Sequence, residues 1–259
     1  MRLRAGCEIQ MSAEQPVPLV AMLRPRSGEA QWVASEKYEL EPFTQVVEYV
    51  DVFGNLCQRM VAPAKNFTIR TEAVVEAADD IMLNRGGPAT PPAQLPDYAL
   101  QFLLPSRYCP SDKLEKLAKE VTLREKPGYD QVEAIRAWIH DNIEYKYGVS
   151  TASTDALDTL EKRAGVCRDF SHIGMSLSRA LHIPARQVVG YLYKLDPMDL
   201  HAWFEAFVDG RWYTFDATQK EPRGGRIAVA YGRDAADVAL ITELGDLKTD
   251  HMKVWVERV

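Results

Sequence analysis

Cys167 is the residue of this chain whose position best suits it to act as a nucleophile. It opens an amphipathic helical pattern, so unpaired backbone N–H groups and the positive end of the helix dipole are expected beside its sulfur. These surroundings favour the thiolate, and the same N–H groups can stabilise the oxyanion of a tetrahedral intermediate. A lone cysteine is more often a small buried hydrophobic residue. We expect that plainer role for Cys7, Cys57 and Cys109, which have no adjacent base.

A histidine and an aspartate share one predicted β-hairpin. A strand that begins with His201 leads into Asp209-Gly210, a pair typical of a two-residue turn, and a second strand returns to Asp216. Pairing across that turn places His201 and Asp216 on one face as diagonal neighbours, roughly 7–8 Å apart at Cα. A carboxylate at that position fixes the imidazole tautomer and stabilises imidazolium. The local pattern does not say whether this hairpin lies against Cys167.

Other polar residues near these three have plainer interpretations. Asp169 lies in the first turn of the predicted helix, where a carboxylate complements the helix dipole, so we expect a structural role. His172 is expected to be a packing histidine. Trp203 shares the face of His201 and either covers the site from water or fills the core. The remaining candidates are Glu144 and Glu205, expected to be solvated, and residues 223–226 (RGGR), expected to form a turn because they lack the ending of a phosphate loop.

The elements that must position these residues change in type along the chain. Residues 84–97 carry four prolines and two glycines and leave little room for regular structure. Before this segment the pattern is strand-like, with a hairpin at 46–61 around Gly54-Asn55 and a strand at 66–75. After it, helices are predicted at 112–121 (opened by an Asp112–Glu115 capping box), 130–143, 154–163 (ended by Gly165) and 167–182, and strands at 186–193, 201–208, 211–217 and 252–259. Helices followed by an antiparallel sheet argue for an α+β fold.

Composition bounds the class of protein. The 259 residues are 46% hydrophobic and 26% charged, a globular balance that excludes a disordered or fibrous chain. A net charge of -6 disfavours nucleic acid or an anionic membrane as the main partner. No apolar run suits a spanning helix, and the opening MRLRAGCE leads into no signal-peptide core, so we expect a cytoplasmic protein. The four cysteines are widely spaced without a Cys-x-x-Cys pair, and the histidines lack metal-ligand spacing, so neither a disulfide framework nor a metal is expected.

Four motifs in the second half carry a family resemblance. In chain order they are GVCRDFSH (165–172), RQVVGY (186–191), HAWFE (201–205) and WYTFDAT (212–218). Together they resemble the bacterial transglutaminase-like superfamily, and the stretches 139–147 and 159–163 before them are also similar. The resemblance implies a papain-like α+β core with a catalytic triad of Cys167, His201 and Asp216, the same three residues chosen on physical grounds.

The resemblance also implies a domain organisation. Residues 1–105 resemble the β-rich N-terminal domain that often precedes this core, which would then cover 106–259. Many such domains begin with a strand that bears a histidine and a tyrosine, whereas this chain reads AGCEI at 5–9.

We therefore expect a thiol hydrolase, a cysteine peptidase or amidase acting on a peptide, protein or amide through a thioester. Such a site needs no cofactor. One alternative is a protein-glutamine acyltransferase, in which an amine instead of water accepts the acyl group. Another is a catalytically silent binding or scaffold module, which requires either a misaligned helix and hairpin or a blocked cleft, for example with the proline-rich segment 84–97 across it as a lid.

Overall fold

The computed structural model describes residues 1–28 and 30–259. The strands are β1 (Arg2–Ala13), β2 (Val17–Ala21), β3 (Gln31–Glu41), β4 (Val47–Val50), β5 (Leu56–Ala62), β6 (Lys65–Ala77), β7 (Glu144–Tyr145), β8 (Ala164–Gly165), β9 (Ala185–Leu192), β10 (His201–Val208), β11 (Arg211–Phe215), β12 (Arg226–Gly232), β13 (Ile241–Glu243) and β14 (Lys248–Arg258). The α-helices are α1 (Asp97–Leu100), α2 (Glu115–Val121), α3 (Tyr129–Asn142), α4 (Ala156–Lys162) and α5 (Cys167–Ala180). The fold is thus mixed α and β with mostly antiparallel sheets, as the sequence predicts.

Strands β1 to β6 of the N-terminal region lie in two antiparallel sheets. Their strand orders are β14-β1-β6-β3 and β13-β2-β5-β4. Alternate side chains of β1, β2, β5 and β6 are buried. Many of them pack into one core, which includes Met11, Leu19, Met60 and Ile69, while those at the start of β1 and the end of β6 pack into a second core with β12. The predicted hairpin at 46–61 is confirmed as β4 paired with β5.

The C-terminal end of the chain returns to these two sheets. Strand β14 runs antiparallel to β1 from Leu3↔Arg258 to Ser12↔Lys248, and β13 pairs with β2. The predicted strand at 252–259 is therefore present, but its hydrogen-bonding partner lies at the other end of the sequence. The division into domains 1–105 and 106–259 stays a prediction.

A third antiparallel sheet, ordered β11-β10-β9-β12, carries helix α5 on one face. The apolar side of α5 packs into two adjoining cores, through Met175 against Phe204 and Phe215, and through Ile173 and Leu177 against α3. This packing sets the position of Cys167, the first residue of α5, relative to His201, the first residue of β10.

Two residues predicted to signal a helix start or end do not have that role. Residues Ser111–Lys113 form a 3-10 turn and α2 begins at Glu115, with no side-chain cap, so the Asp112–Glu115 capping box does not form. Helix α4 ends at Lys162, and Arg163 after it takes the left-handed conformation at φ 52°, while Gly165, the predicted end signal, lies in strand β8. At Gly165 tertiary pairing overrides the local end signal, since β8 runs beside β7.

The proline-rich segment lies at the far end of the His201 hairpin. Pro88 accepts from the Asp209 N–H, Thr90 accepts from the Gly210 N–H, and Gly87 accepts from Tyr129 at the start of α3. The turn at Asp209-Gly210 is separated from His201 by the length of β10, roughly 23 Å. The hypothesis that this segment covers the cleft as a lid is therefore wrong.

Two carboxamides join the N-terminal region to the edge strand β12. Gln31 donates to the Ala228 carbonyl and accepts from its N–H, both at 2.8 Å. Asn55 makes the same pair of bonds, also at 2.8 Å, with Tyr231. These side chains satisfy backbone groups that an edge strand would otherwise expose, so they fix β12 as an additional strand would.

Helix α5 can approach β10 closely because residue 174 is a glycine. A Cβ built on Gly174 would lie 2.4 Å from the fully buried ring of Phe204. We expect Gly174→Ala to push α5 away from the sheet and to lower the free energy of unfolding by about 1–3 kcal/mol. Urea denaturation checks this expectation. The matched control is Gly28→Ala, where a Cβ meets nothing within 4 Å, and there the change should stay within about 0.5 kcal/mol. Equal effects of the two substitutions would contradict the close-packing argument.

Candidate active site

Cys167 stands at the N-terminus of α5, and a buried carboxylate holds the chain there. Asp169 Oδ2 accepts from the Val166 N–H at 2.9 Å and from Ser150 Oγ at 2.5 Å. Its Oδ1 pairs with the Arg168 guanidinium at 2.9 Å. Asp169 thus has the structural role that its place in the first turn predicts, because it fixes the turn that presents the cysteine.

The short parallel pair β7–β8 brings Tyr145 beside Cys167. Tyr145 pairs with Gly165, and its ring centroid lies 5.7 Å from that of Phe170 on α5. Burial raises the pKa of the Tyr145 hydroxyl, so the phenol stays protonated. The sequence analysis missed Tyr145, since no local pattern says that 144–145 pairs with 164–165.

The predicted hairpin and its register are confirmed. Strands β10 and β11 pair from Val208↔Arg211 to Phe204↔Phe215, and the turn residues Asp209 and Gly210 both have positive φ. Asp216 follows the last paired residue of β11, and its side chain points toward His201 on β10.

His201 and Asp216 form a buried hydrogen-bonded pair. His201 Nε2 donates to Asp216 Oδ2 at 2.7 Å, and both side chains are almost fully buried. Asp216 Oδ1 accepts from the backbone N–H of Thr218 at 3.0 Å and from its hydroxyl at 2.7 Å. Cys167 lies close enough to His201 to contribute to the raised pKa of the imidazole. The structure therefore brings together the three residues that the sequence singles out.

Burial and the neighbouring charges shift the pKa values of this pair in opposite directions. Burial alone would lower the pKa of His201, but the charge of Asp216 and its hydrogen bond outweigh it, with a smaller contribution from Cys167, and raise the pKa to about 9. Burial would also raise the pKa of Asp216, but the charges of His201 and Arg226 hold that pKa well below its usual range.

Trp203 and Arg226 complete the surroundings of the pair. The Trp203 ring stacks on His201 with centroids 6.1 Å apart, and the Arg226 guanidinium lies 5.1 Å from the Trp203 ring centre. Arg226 Nη2 lies 2.8 Å from Asp216 Oδ2. The sequence interpretation of 223–226 as a simple turn is wrong for Arg226, which begins β12. No sequence signal distinguishes this arginine from a solvated one.

The remaining candidates take structural positions. His172 is a packing histidine as predicted, since it is buried, accepts from the Ala235 N–H at 3.2 Å and has its pKa lowered to about 4 by burial. Glu205 was expected to be solvated, and that is wrong, because it pairs with Arg186 at 2.7 Å. Glu144 is exposed as expected. Cys7, Cys57 and Cys109 are buried thiols, as predicted, and burial raises the pKa of each.

In the part of the chain that the structure describes, no helix has the length and apolar character that a membrane crossing requires.

The fold and this arrangement define an α+β protein with a transglutaminase-like core beside β-rich sheets. The model of the transglutaminase-like superfamily matches residues 115–217, which include Cys167, His201 and Asp216. The model of the bacterial transglutaminase-like N-terminal region matches residues 15–76. The chain belongs to the transglutaminase-like superfamily.

Similar proteins cover most of the chain. A crystal structure of a presumed cysteine protease from Cytophaga hutchinsonii is 36% identical with a TM-score of 0.94, over 99% of this chain and 90% of that one. An uncharacterised protein of Mycobacterium leprae is 30% identical over 236 residues, which are 85% of this chain and 83% of the relative. An uncharacterised protein of Mycobacterium tuberculosis is 28% identical over 216 residues, or 73% of this chain and 68% of the relative.

Asp216→Asn tests the electrostatic balance at His201. Without the carboxylate charge, burial dominates, so the pKa of His201 should fall from about 9 to below its ordinary value of 6.5. NMR titration of labelled histidine rings measures this change. The control is Asp209→Asn at the far end of the hairpin, which should leave the His201 titration in place. A His201 that still titrates near 9 in the Asp216→Asn protein would mean that the carboxylate charge is not the source of the shift.

Proposed function

We propose that this protein is a thiol hydrolase, a cysteine peptidase or amidase, in which Cys167 is the nucleophile, His201 the general base and acid, and Asp216 the residue that orients His201. The observation that carries the proposal is the buried 2.7 Å pair of His201 and Asp216 beside a cysteine at a helix N-terminus. The similarity to a presumed cysteine protease supports the same class of reaction.

The geometry suits a two-step acyl transfer. Because His201 Nε2 is bound to Asp216, Nδ1 is the ring nitrogen that takes the proton of the Cys167 thiol. The thiolate then attacks the carbonyl carbon of an amide, and the oxyanion accepts from the backbone N–H of Cys167. Imidazolium gives its proton to the leaving nitrogen, the C–N bond breaks and a thioester remains.

Hydrolysis of the thioester completes the cycle. His201 takes a proton from water, the resulting hydroxide attacks the thioester carbonyl, and the C–S bond breaks to release a carboxylic acid and the thiolate. An amine in place of water would give transamidation. Hydrolysis is favoured because transamidation requires a site that selects an amine over abundant water. A peptide, protein or amide is the proposed substrate, and the cytoplasmic location stays a prediction.

The reactivity of Cys167 toward iodoacetamide tests the coupling between thiol and imidazole. An ordinary thiol reacts mainly above about pH 8, whereas a thiol that passes its proton to a histidine reacts in acid as well. We expect alkylation of Cys167 at pH 6 to be at least about tenfold slower in His201→Ala than in the wild type, as followed by peptide mass spectrometry. The exposed His182, replaced by alanine, is the control and should retain wild-type rates. Identical pH profiles for wild type and His201→Ala would contradict the coupling and favour the scaffold hypothesis.

Product analysis separates the three functions. The protein is incubated with a library of glutamine-containing peptides in ¹⁸O-water together with a biotinylated primary amine. A hydrolase incorporates ¹⁸O into new carboxylates, and the Cys167→Ala protein does not. Biotin in the product would instead indicate an acyltransferase. The absence of both labels from the products would contradict catalysis of peptide or amide-side-chain acyl transfer by this chain.

A further inference from the structure

A buried arginine shares the carboxylate that orients His201. Arg226 Nη2 lies 2.8 Å from Asp216 Oδ2, the same oxygen that accepts from His201 Nε2 at 2.7 Å. Its side chain is 7% exposed. Neither Nη1 nor Nη2 makes a hydrogen bond with a described residue, so the contact with Asp216 is an ion pair. A buried cation whose terminal nitrogens lack hydrogen bonds is costly, so its place beside Asp216 points to a role for its charge.

The fold places Arg226 close to this pair. Gly225 takes a positive φ of 69°, and a Cβ on Gly224 would lie 2.3 Å from the Asp79 carbonyl oxygen, so the loop before β12 packs closely against the chain that follows β6. Arg226 Nε donates to the Arg223 carbonyl at 3.2 Å, and the guanidinium packs over Trp203. The Trp203 ring stacks on His201 as well, so one aromatic side chain holds both cations of Asp216 in place.

Counting charges shows when Arg226 matters. In the resting site, Asp216 and Arg226 cancel, and the thiol–imidazole and thiolate–imidazolium forms are both neutral overall. Once Cys167 is acylated it carries no charge, so neutral His201 leaves the cluster neutral and protonated His201 makes it positive. Without Arg226 the order reverses, because protonated His201 would then be the neutral arrangement. A buried cluster favours the state without net charge.

We propose that Arg226 is a positioning residue that shares the Asp216 charge with His201 and so lets His201 release its proton in the acyl-enzyme. Neutral imidazole is the form that activates water, so Arg226 promotes the hydrolysis of the thioester. This inference rests on the proposed function only for that last step. Its electrostatic part concerns His201, Asp216 and Arg226 whether or not a substrate is hydrolysed.

The other charged groups that face the pair are few among the described residues. Cys167 reaches His201 from α5, and Arg223 acts on Asp216 from the loop before β12. The Arg223 guanidinium itself donates to the Tyr193 carbonyl at 2.6 Å. Arg223 is therefore a matched control, a cation of the same loop that does not contact the carboxylate.

NMR titration of His201 in a Cys167→Ala background tests the proposal, because that background has the charge state of the acyl-enzyme. Adding Arg226→Met or Arg226→Gln should raise the titration midpoint of His201 by about one pH unit. Adding Arg226→Lys, which keeps the charge, should change it by less than about half as much. Adding Arg223→Met should also leave it nearly unchanged. Two results would overturn the proposal. One is a His201 midpoint in both neutral variants that equals the midpoint of the Cys167→Ala protein. The other is a shift in the lysine variant as large as the shift in the neutral variants.

Circular dichroism establishes first that each variant folds. If both neutral variants unfold, the lysine variant still decides, since a shift of a full unit despite the retained charge would refute a role for charge. A midpoint close to that of the arginine protein would support it.

Acetylation by p-nitrophenyl acetate then connects the charge to the reaction. With Cys167 present, we expect the acetyl-enzyme of Arg226→Gln to hydrolyse about tenfold more slowly at pH 7, with a pH profile moved upward by the same unit as the NMR midpoint. Equal hydrolysis rates at pH 7 would overturn the step that promotes hydrolysis. If the wild-type protein forms no acetyl-enzyme at Cys167, the proposed function fails, and the NMR result still decides the charge sharing.

Discussion

The hydrogen bond between His201 and Asp216 is the interaction on which the rest of the site depends. An imidazole withdrawn from water resists protonation, and a carboxylate at 2.7 Å reverses that preference. The carboxylate must itself be stabilised where water cannot reach it, and Thr218 and Arg226 supply the additional partners. A single buried charge thus constrains the end of β11, the residues after it and the first residue of β12.

The packing of α5 and β12 connects the His201–Asp216 pair to the rest of the chain. Helix α5 packs on β10, most closely where Gly174 meets Phe204, and this packing holds the cysteine and the histidine in their relative positions. Strand β12 is held from its outer side by the carboxamides of Gln31 and Asn55. The N-terminal region is thereby connected to the strand that carries Arg226, and the pairing of β14 with β1 closes the chain end onto that same region. The strands of the N-terminal region therefore help to fix the position of the site.

Membership of the transglutaminase-like superfamily gives the core, and the site gives the argument for the reaction. A silent scaffold would require a covered or disrupted cleft. The proline-rich segment lies instead at the hairpin turn, bonded to Asp209, Gly210 and the start of α3. Cys167 is half-buried, at a helix N-terminus that Asp169 and Ser150 hold in shape. These features support catalysis over binding alone. Whether water or an amine accepts the acyl group depends on which of them the site admits to the thioester.

The sequence by itself determined the elements whose signals are local. The turn pair Asp209-Gly210 predicted both the hairpin and its register, because two residues of positive φ match the twist of the strands, and that register placed His201 near Asp216. The apolar period predicted α5 with Cys167 at its start. The approach of α5 to the hairpin could not be derived from spacing and came from the family resemblance. Only the tertiary structure decided that Tyr145 lies beside Cys167, that Arg186 pairs with Glu205, that Arg226 reaches Asp216 and that the last strand pairs with the first. The physical reason is that strand partners and buried ion pairs are chosen by how the whole core packs, and sequence spacing carries information only about neighbours along the chain.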